Sequence, residues 1–434
     1  MQSRGFYLKD ILKIALPIML GNIGFIMIGV GDVVVAGRHS TDTLAAISLA
    51  TAITNCLLML GIGILASVSS ILANYRGGGI EAEKYFYPSL KFAMILALIT
   101  SCLIFATIPL IDLMGFEAKL VPMIKEYFFI TGFATFGGYL HCMAREYLQA
   151  FEIVLFPNIL NIICIFLNIG LNILFVFGCG VIPEMGAVGL ALASLITRYF
   201  MGIVLFLYCY KRVKIRSEKV AGYYKDLLRV GVPSSLAIMI EFIGFNAIAI
   251  IMGRVAGIYA AAHNLLTTLT SVSFMLPFSI SIATSVKVGF SNGSKDYAAL
   301  KRYALTGLNT CIGIMAFSGL VIYLFPEFLV SLFTIDKELI DVCLPIAAVL
   351  CFFQIFDGMQ VALAGIFRGM KHTKIVMLSN FIGYWLISFP IGLLLGFKYN
   401  MNLLGFWYGI FIGSIVLCSI MLISLVRKFR KLEA

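Results

Sequence analysis

The chain is written in long apolar runs parted by short polar breaks, and that alternation limits its fold more tightly than any motif in it. A helix needs roughly 20 consecutive apolar residues to cross the hydrocarbon of a bilayer. By that measure the sequence predicts twelve spans, at residues 11–36, 44–74, 87–111, 122–145, 156–180, 186–210, 229–254, 260–288, 303–326, 341–367, 375–397 and 403–426. The second, eighth and tenth runs exceed the minimum, which predicts helices that tilt or project from the bilayer. A soluble fold fails on composition: 61% of residues are hydrophobic and 12% charged, against about 25% charged in soluble domains. The expectation is an all-α, polytopic membrane protein. The charged N-terminus, MQSRGFYLKDILKIALPIML, runs straight into apolar sequence without a small-residue cleavage site, so it is not read as a removable signal peptide.

Twelve spans put both termini on one side, and the basic residues say which. Of the 32 Lys and Arg residues, only Arg38, Lys119, Lys125, Arg254, Lys337 and Lys398 fall on the far side, and Arg198 lies within a span. The remainder fall with the termini, which predicts that both termini are cytoplasmic. This asymmetry also accounts for most of the formal charge of +11. Membrane topology explains it without nucleic acid, which is not expected as a partner.

The most basic loop, YKRVKIRSEKVAGYYKDLLR, falls near the midpoint, and the stretches beside it match. KIALPIMLGNIGFIMIGVGDVVVAGRHSTDTLAA begins at Lys13, and RVGVPSSLAIMIEFIGFNAIAIIMGRVAGIYAAA begins at Arg229. Without a gap, Pro17 matches Pro233, Leu20 matches Leu236, Gly37-Arg38 matches Gly253-Arg254, and Ala45-Ala46 matches Ala261-Ala262. Shared order and phase imply duplication, with lobes at 1–215 and 216–434. An even number of spans in each half makes the repeats parallel, a transporter design with its substrate path between the halves. The carboxylates do not repeat: Asp32 aligns with Ile248, and Glu241 with Phe25.

Four charges sit inside predicted spans: Asp32, Arg198, Glu241 and Asp357. Each costs about 2.5–3.5 kcal/mol at a helix centre on insertion scales, so such residues face an interior or a water-filled cavity. Glu241 and Asp357 fall at similar depth on antiparallel spans. Two carboxylates in one dry cavity cannot both carry charge cheaply, so the pair is suited to exchanging a proton, a metal ion and an organic cation. A structural ion pair or polar cluster is the alternative. Asp32 lies nearer the outer end of its span, where an interfacial role competes. Pro17 leaves a carbonyl of the preceding turn without its helical partner, which makes the first span a candidate for bending. In the fifth span, Asn158, Asn161, Asn168 and Asn172 share one face. They can ligate a cation through their carbonyl oxygens or join helices by hydrogen bonds. Arg198 is expected as a counter-charge to a buried acid.

Enzyme chemistry is not expected. The four histidines are scattered, no HExxH occurs, and RGGGIEAEK lacks the Lys-Ser/Thr of a phosphate-binding loop. The ten cysteines lie mostly within apolar runs without a C-x-x-C pair, which argues against a disulfide framework or zinc site. With no nucleotide-binding domain, active transport would draw on an ion gradient, and no cofactor is expected beyond the coupling ion.

GVGDVVVAGR with LAAISLA in the first repeat, IEFIGFNAIAIIMGRVAGIYAAAHNL in the second, and FDGMQVALAGIFRGMKHTK and GYWLISFPIGLLLG further on carry a resemblance to the multidrug and toxic compound extrusion (MATE) family. The likeness covers essentially the whole chain and is strongest to the bacterial NorM-like branch. It implies two six-helix lobes that open alternately to either side, antiport of organic cations against sodium ions or protons, and a bacterial inner-membrane location as a monomer. It implies cation coupling at Glu241, Asp357 and Asp32, with Asn168 and Asn172 at polar fifth-span positions, and a hinge at Pro17. The three acids would also contact solute, and sodium would bind at Glu241 and Asp357. Some relatives carry aspartate where this chain has Asn172, which shifts weight toward the second lobe. A flippase for a lipid-linked or polysaccharide intermediate is the alternative within transport. Outside transport, the alternative is a membrane sensor or scaffold.

Overall fold

The computed structural model describes residues 4–180, 182–212 and 222–433. Among these residues there is no strand; the single bridge, Cys179 to Ile182, closes a turn. Twelve long helices follow one another: α1 Arg4–His39, α2 Thr41–Gly77, α3 Ala82–Leu113, α4 Val121–Ala150, α5 Leu155–Phe177, α6 Gly186–Arg212, α7 Tyr223–Val255, α8 Gly257–Gly293, α9 Tyr297–Leu324, α10 Lys337–Gly369, α11 Lys374–Lys398 and α12 Asn402–Glu433. Among the described residues, 11 are long and apolar enough on their own to cross a membrane. The twelfth, α4, buries polar groups such as Thr131, Thr135, His141, Glu146 and Gln149 among its neighbours, which lowers its hydropathy without shortening it.

Each expected span falls on one of these helices, with two ends running long. The fifth run stops at Phe177 because Gly178 takes φ 73, a left-handed conformation that ends a helix. The ninth stops at Leu324 because the residue before Pro326 is forced out of the helical region. The long second run is interrupted at Ala66, where Ser67 Oγ turns back onto the Ile64 carbonyl at 2.7 Å. Helix α11 opens into wide π turns over Phe381–Ser388 and Leu394–Lys398, on either side of Phe389–Leu393. Pro390, inside that stretch, cannot donate the bond that a regular α-turn requires.

The outside of the bundle is apolar at mid-helix. On α5 the asparagine face is fully buried, whereas Phe166 on the opposite face is 73% exposed. A helix that is polar inward and apolar outward suits a lipid surround and not water. The ten cysteines are free thiols, most of them buried, so they act as small packing residues.

Two compact units make up the chain. Pro17–Ser235 forms one; Leu236–Ala434 together with Met1–Leu16 forms the other. The boundary expected at 215/216 lies outside the described residues. The division by packing assigns the leading segments of α1 and α7 differently from that boundary, and it falls at Pro17 and just after Pro233. In the first unit, α4 and α6 approach closely enough that a Cβ at Gly137 would strike the Tyr199 backbone, and one at Gly202 the Gly137 carbonyl. In the second unit, α11 and α12 meet through Gly383, Gly392, Gly409 and Gly413, where a side chain would collide with the facing backbone or Phe406.

Candidate functional site

The second unit brings Glu241 and Asp357 together. Glu241 Oε2, on α7, accepts from Gln360 Nε2 at 2.8 Å, and Gln360 Oε1 accepts from the Tyr384 hydroxyl at 2.9 Å. Asp357 lies one helical turn before Gln360 on α10, buried, and has no hydrogen-bond partner among the described residues. Its carboxylate is within electrostatic reach of Glu241, Tyr384 and Cys418. No basic side chain acts on either acid among the described residues.

Helix α7 is pinned in this unit through its own carbonyls. Asn380 Nδ2 donates to Ala237 O at 3.2 Å, Trp385 Nε1 to Ile240 O at 3.1 Å, and His263 Nε2 to Phe245 O at 3.0 Å. Phe245 then packs against Phe353, Tyr384 and Trp407. The wide turns of α11 place Tyr384 and Trp385, neighbours in sequence, on two different partners.

Asp32 belongs to the first unit and is built differently. Its Oδ1 accepts from Asn172 Nδ2 at 2.6 Å, and its Oδ2 from Ser194 Oγ at 3.4 Å. Asn172 Nδ2 also reaches Asn168 Oδ1 at 3.1 Å. Arg198 acts on Asp32 as a counter-charge, and the buried Tyr127 lies within reach of both. Asn168 Nδ2, Asn172 Oδ1 and Thr197 Oγ1 are buried without a hydrogen-bond partner. The other two asparagines of the face serve elsewhere: Asn158 Nδ2 bonds Val154 O at 2.6 Å, and Asn161 Oδ1 meets His141 Nε2 at 3.1 Å. Pro17 lies inside α1, at the junction of the two units.

Gln360, Tyr384, Trp385, Ser194 and Tyr127 were not singled out from sequence. Gln360 had a signal, since it follows Asp357 by one turn in an apolar run. Tyr384 and Trp385, polar-tipped aromatics beside a proline in mid-span, had a weaker one. Ser194, one small residue in an apolar helix, had none.

Duplicated helical lobes that carry carboxylates within their apolar spans define a polytopic membrane transporter. The MatE family model matches residues 17–174 and 233–394, and the chain belongs to that family, which is one of transporters and not of enzymes. The two matched segments begin at the two repeated prolines. A relative from Photorhabdus laumondii subsp. laumondii, described as "Probable multidrug resistance protein NorM", is 28% identical over 98% of this chain and 96% of its own length. "Multidrug resistance protein NorM" of Aliivibrio fischeri is 26% identical over 96% of this chain and 94% of its own. Among solved structures, a MOP superfamily transporter from Pyrococcus furiosus superposes with a TM-score of 0.90 at 20% identity, covering 99% of this chain and 97% of that one. At that identity the likeness establishes the fold alone.

Proposed function

We propose that the protein is a secondary active exporter of organic compounds, mostly cationic and amphipathic, driven by antiport of sodium ions or protons. The observation that carries this reading is the pair Glu241 and Asp357, a half-buried and a buried carboxylate on which no basic side chain acts among the described residues. Such a pair in a low-dielectric interior calls for a cation. A proton can bind one carboxylate directly. A sodium ion can take carboxylate oxygens, the hard ligands that such cations prefer. Gln360 and Tyr384 hold Glu241 in place, so the second lobe is ready before the ion arrives.

Ion binding neutralises the acids and weakens their hold on a cationic solute, so ion and solute compete. Coupling then follows if the two prefer different states of the protein. In the first lobe Asp32, with Asn168 and Asn172, contributes separately, and Pro17 lets α1 bend. The names of the relatives support a multidrug cargo, and the distribution of basic residues supports cytoplasmic termini in a bacterial inner membrane.

The test is efflux of a fluorescent organic cation from proteoliposomes, with sodium and proton gradients imposed separately, for wild type and Asp357→Asn. Efflux driven by one gradient and lost in the variant is the expected result. Normal gradient-driven efflux in the variant would remove Asp357 from the coupling site. A wild type that moves nothing under either gradient would favour the lipid-linked cargo.

A further inference from the structure

The duplication reaches further toward the start of each repeat than the stretch beginning at Lys13. Tyr7-Leu8-Lys9-Asp10 precedes Pro17 at the same distance as Tyr223-Tyr224-Lys225-Asp226 precedes Pro233. Three of the four positions are identical. The structure gives the two copies the same work.

In the unit completed by Met1–Leu16, the Asp10 carboxylate accepts from the Tyr303 hydroxyl at 2.6 Å and pairs with Lys287 Nζ at 2.8 Å. Tyr7 packs edge-on against Tyr303, with ring centroids 4.8 Å apart. In the other unit, the Asp226 carboxylate accepts from the Tyr75 hydroxyl at 2.9 Å. Tyr223 packs edge-on against Tyr85, again with centroids 4.8 Å apart, and its hydroxyl lies 2.6 Å from Ser89 Oγ. Lys287 and Tyr75 stand near the ends of α8 and α2, the second helices of the two repeats; Tyr303 and Tyr85 stand near the starts of α9 and α3, the third helices.

Each motif docks on helices of the repeat to which it does not belong. The leading segment of α1 packs with α8 and α9, and that of α7 with α2 and α3. On α7, Ser235 Oγ still bonds Leu60 O at 2.7 Å in the first unit, whereas two residues later Ala237 O accepts from Asn380 in the second. On α1, Gly21 already lies against Asn158.

We propose that Tyr7 with Asp10, and Tyr223 with Asp226, form a duplicated pair of latches. They are positioning residues that hold the leading segments of α1 and α7 fixed while the rest of each helix moves with its own repeat. Bending is then confined to the Leu16–Pro17 junction and to the stretch from Pro233 to Leu236, where each proline removes a helical hydrogen bond. The motion rests on the transport reading above; the docking does not.

Two measurements on the full chain in nanodiscs and proteoliposomes test this. Asp10→Ala should speed hydrogen exchange in residues 4–16 by about tenfold and leave 223–235 unchanged, with Asp226→Ala doing the reverse. Tyr303→Phe and Tyr75→Phe, which remove only a hydroxyl, should do the same more weakly and cover the case in which an aspartate variant fails to fold. For an organic cation, each latch variant should lower kcat by about tenfold and change KM by less than about twofold. Unchanged exchange in the paired segment would overturn the latches, and so would a raised KM with an unchanged kcat. If wild type moves no organic cation, the cargo reading fails and the exchange experiment still decides the latches.

Discussion

Asp32 in α1 and the Glu241–Asp357 pair of α7 and α10 sit in the two halves of a duplicated molecule, yet their surroundings differ in sign. Asp32 receives two side-chain donors and has Arg198 acting on it. Glu241 receives an amide, Asp357 receives nothing among the described residues, and no basic side chain acts on either. A carboxylate that already has donors and a positive charge acting on it gains less from a further cation. An uncompensated pair gains a great deal. The scaffold is duplicated and its charges are not: the acid of the first half has a counter-charge acting on it, and the pair of the second has none among the described residues.

Breaking the balance in the first lobe should have the largest effect. Arg198→Met removes the positive charge acting on Asp32 and should destabilise the protein by about 1–3 kcal/mol, measured as thermal unfolding in detergent. Adding Asp32→Asn should restore much of the loss. An Arg198→Met protein as stable as wild type would mean that Asp32 is not compensated as described.

In the second lobe, Glu241→Gln should reduce gradient-driven efflux on the order of 100-fold while leaving the fold intact, because it removes a charge that a bound ion needs. If instead Asp32→Asn abolished coupling and Glu241→Gln spared it, the contrast between the lobes would be reversed. Gln360→Leu, which removes the amide that orients Glu241, should weaken the apparent affinity for the coupling ion by about tenfold. Tyr384→Phe should weaken it by only about fivefold, the worth of one neutral hydrogen bond. Titrating the driving ion against efflux rate in proteoliposomes orders these two variants, and an unchanged affinity in Tyr384→Phe would show that Gln360 needs no support from Tyr384.

Much of this was legible in the sequence because the bilayer imposes a length and a polarity on every span. Twelve runs, the repeat around Pro17 and Pro233, and the out-of-place charges Asp32, Arg198, Glu241 and Asp357 all follow from that constraint. The asparagines of α5 share a buried face, as their spacing requires. Which helix meets which was not legible, because one apolar helix face resembles another. Ser194 and Tyr127 therefore gave no warning of their place beside Asp32 and Arg198. The exchange of leading segments between units also depends on packing, although the Tyr-x-Lys-Asp repeat was there to be noticed. In α11 the proline was visible, but the wide turns that aim Tyr384 and Trp385 at different partners arise only once the helix packs on α7 and α12.

The reach of Arg198 to Asp32 also bears on how the molecule is made. Translation produces α1 five helices before α6, so Asp32 is made before the guanidinium that acts on it. Asp32 therefore meets its counter-charge only once α6 has been made, and the unit that holds both is closed only by the leading segment of α7.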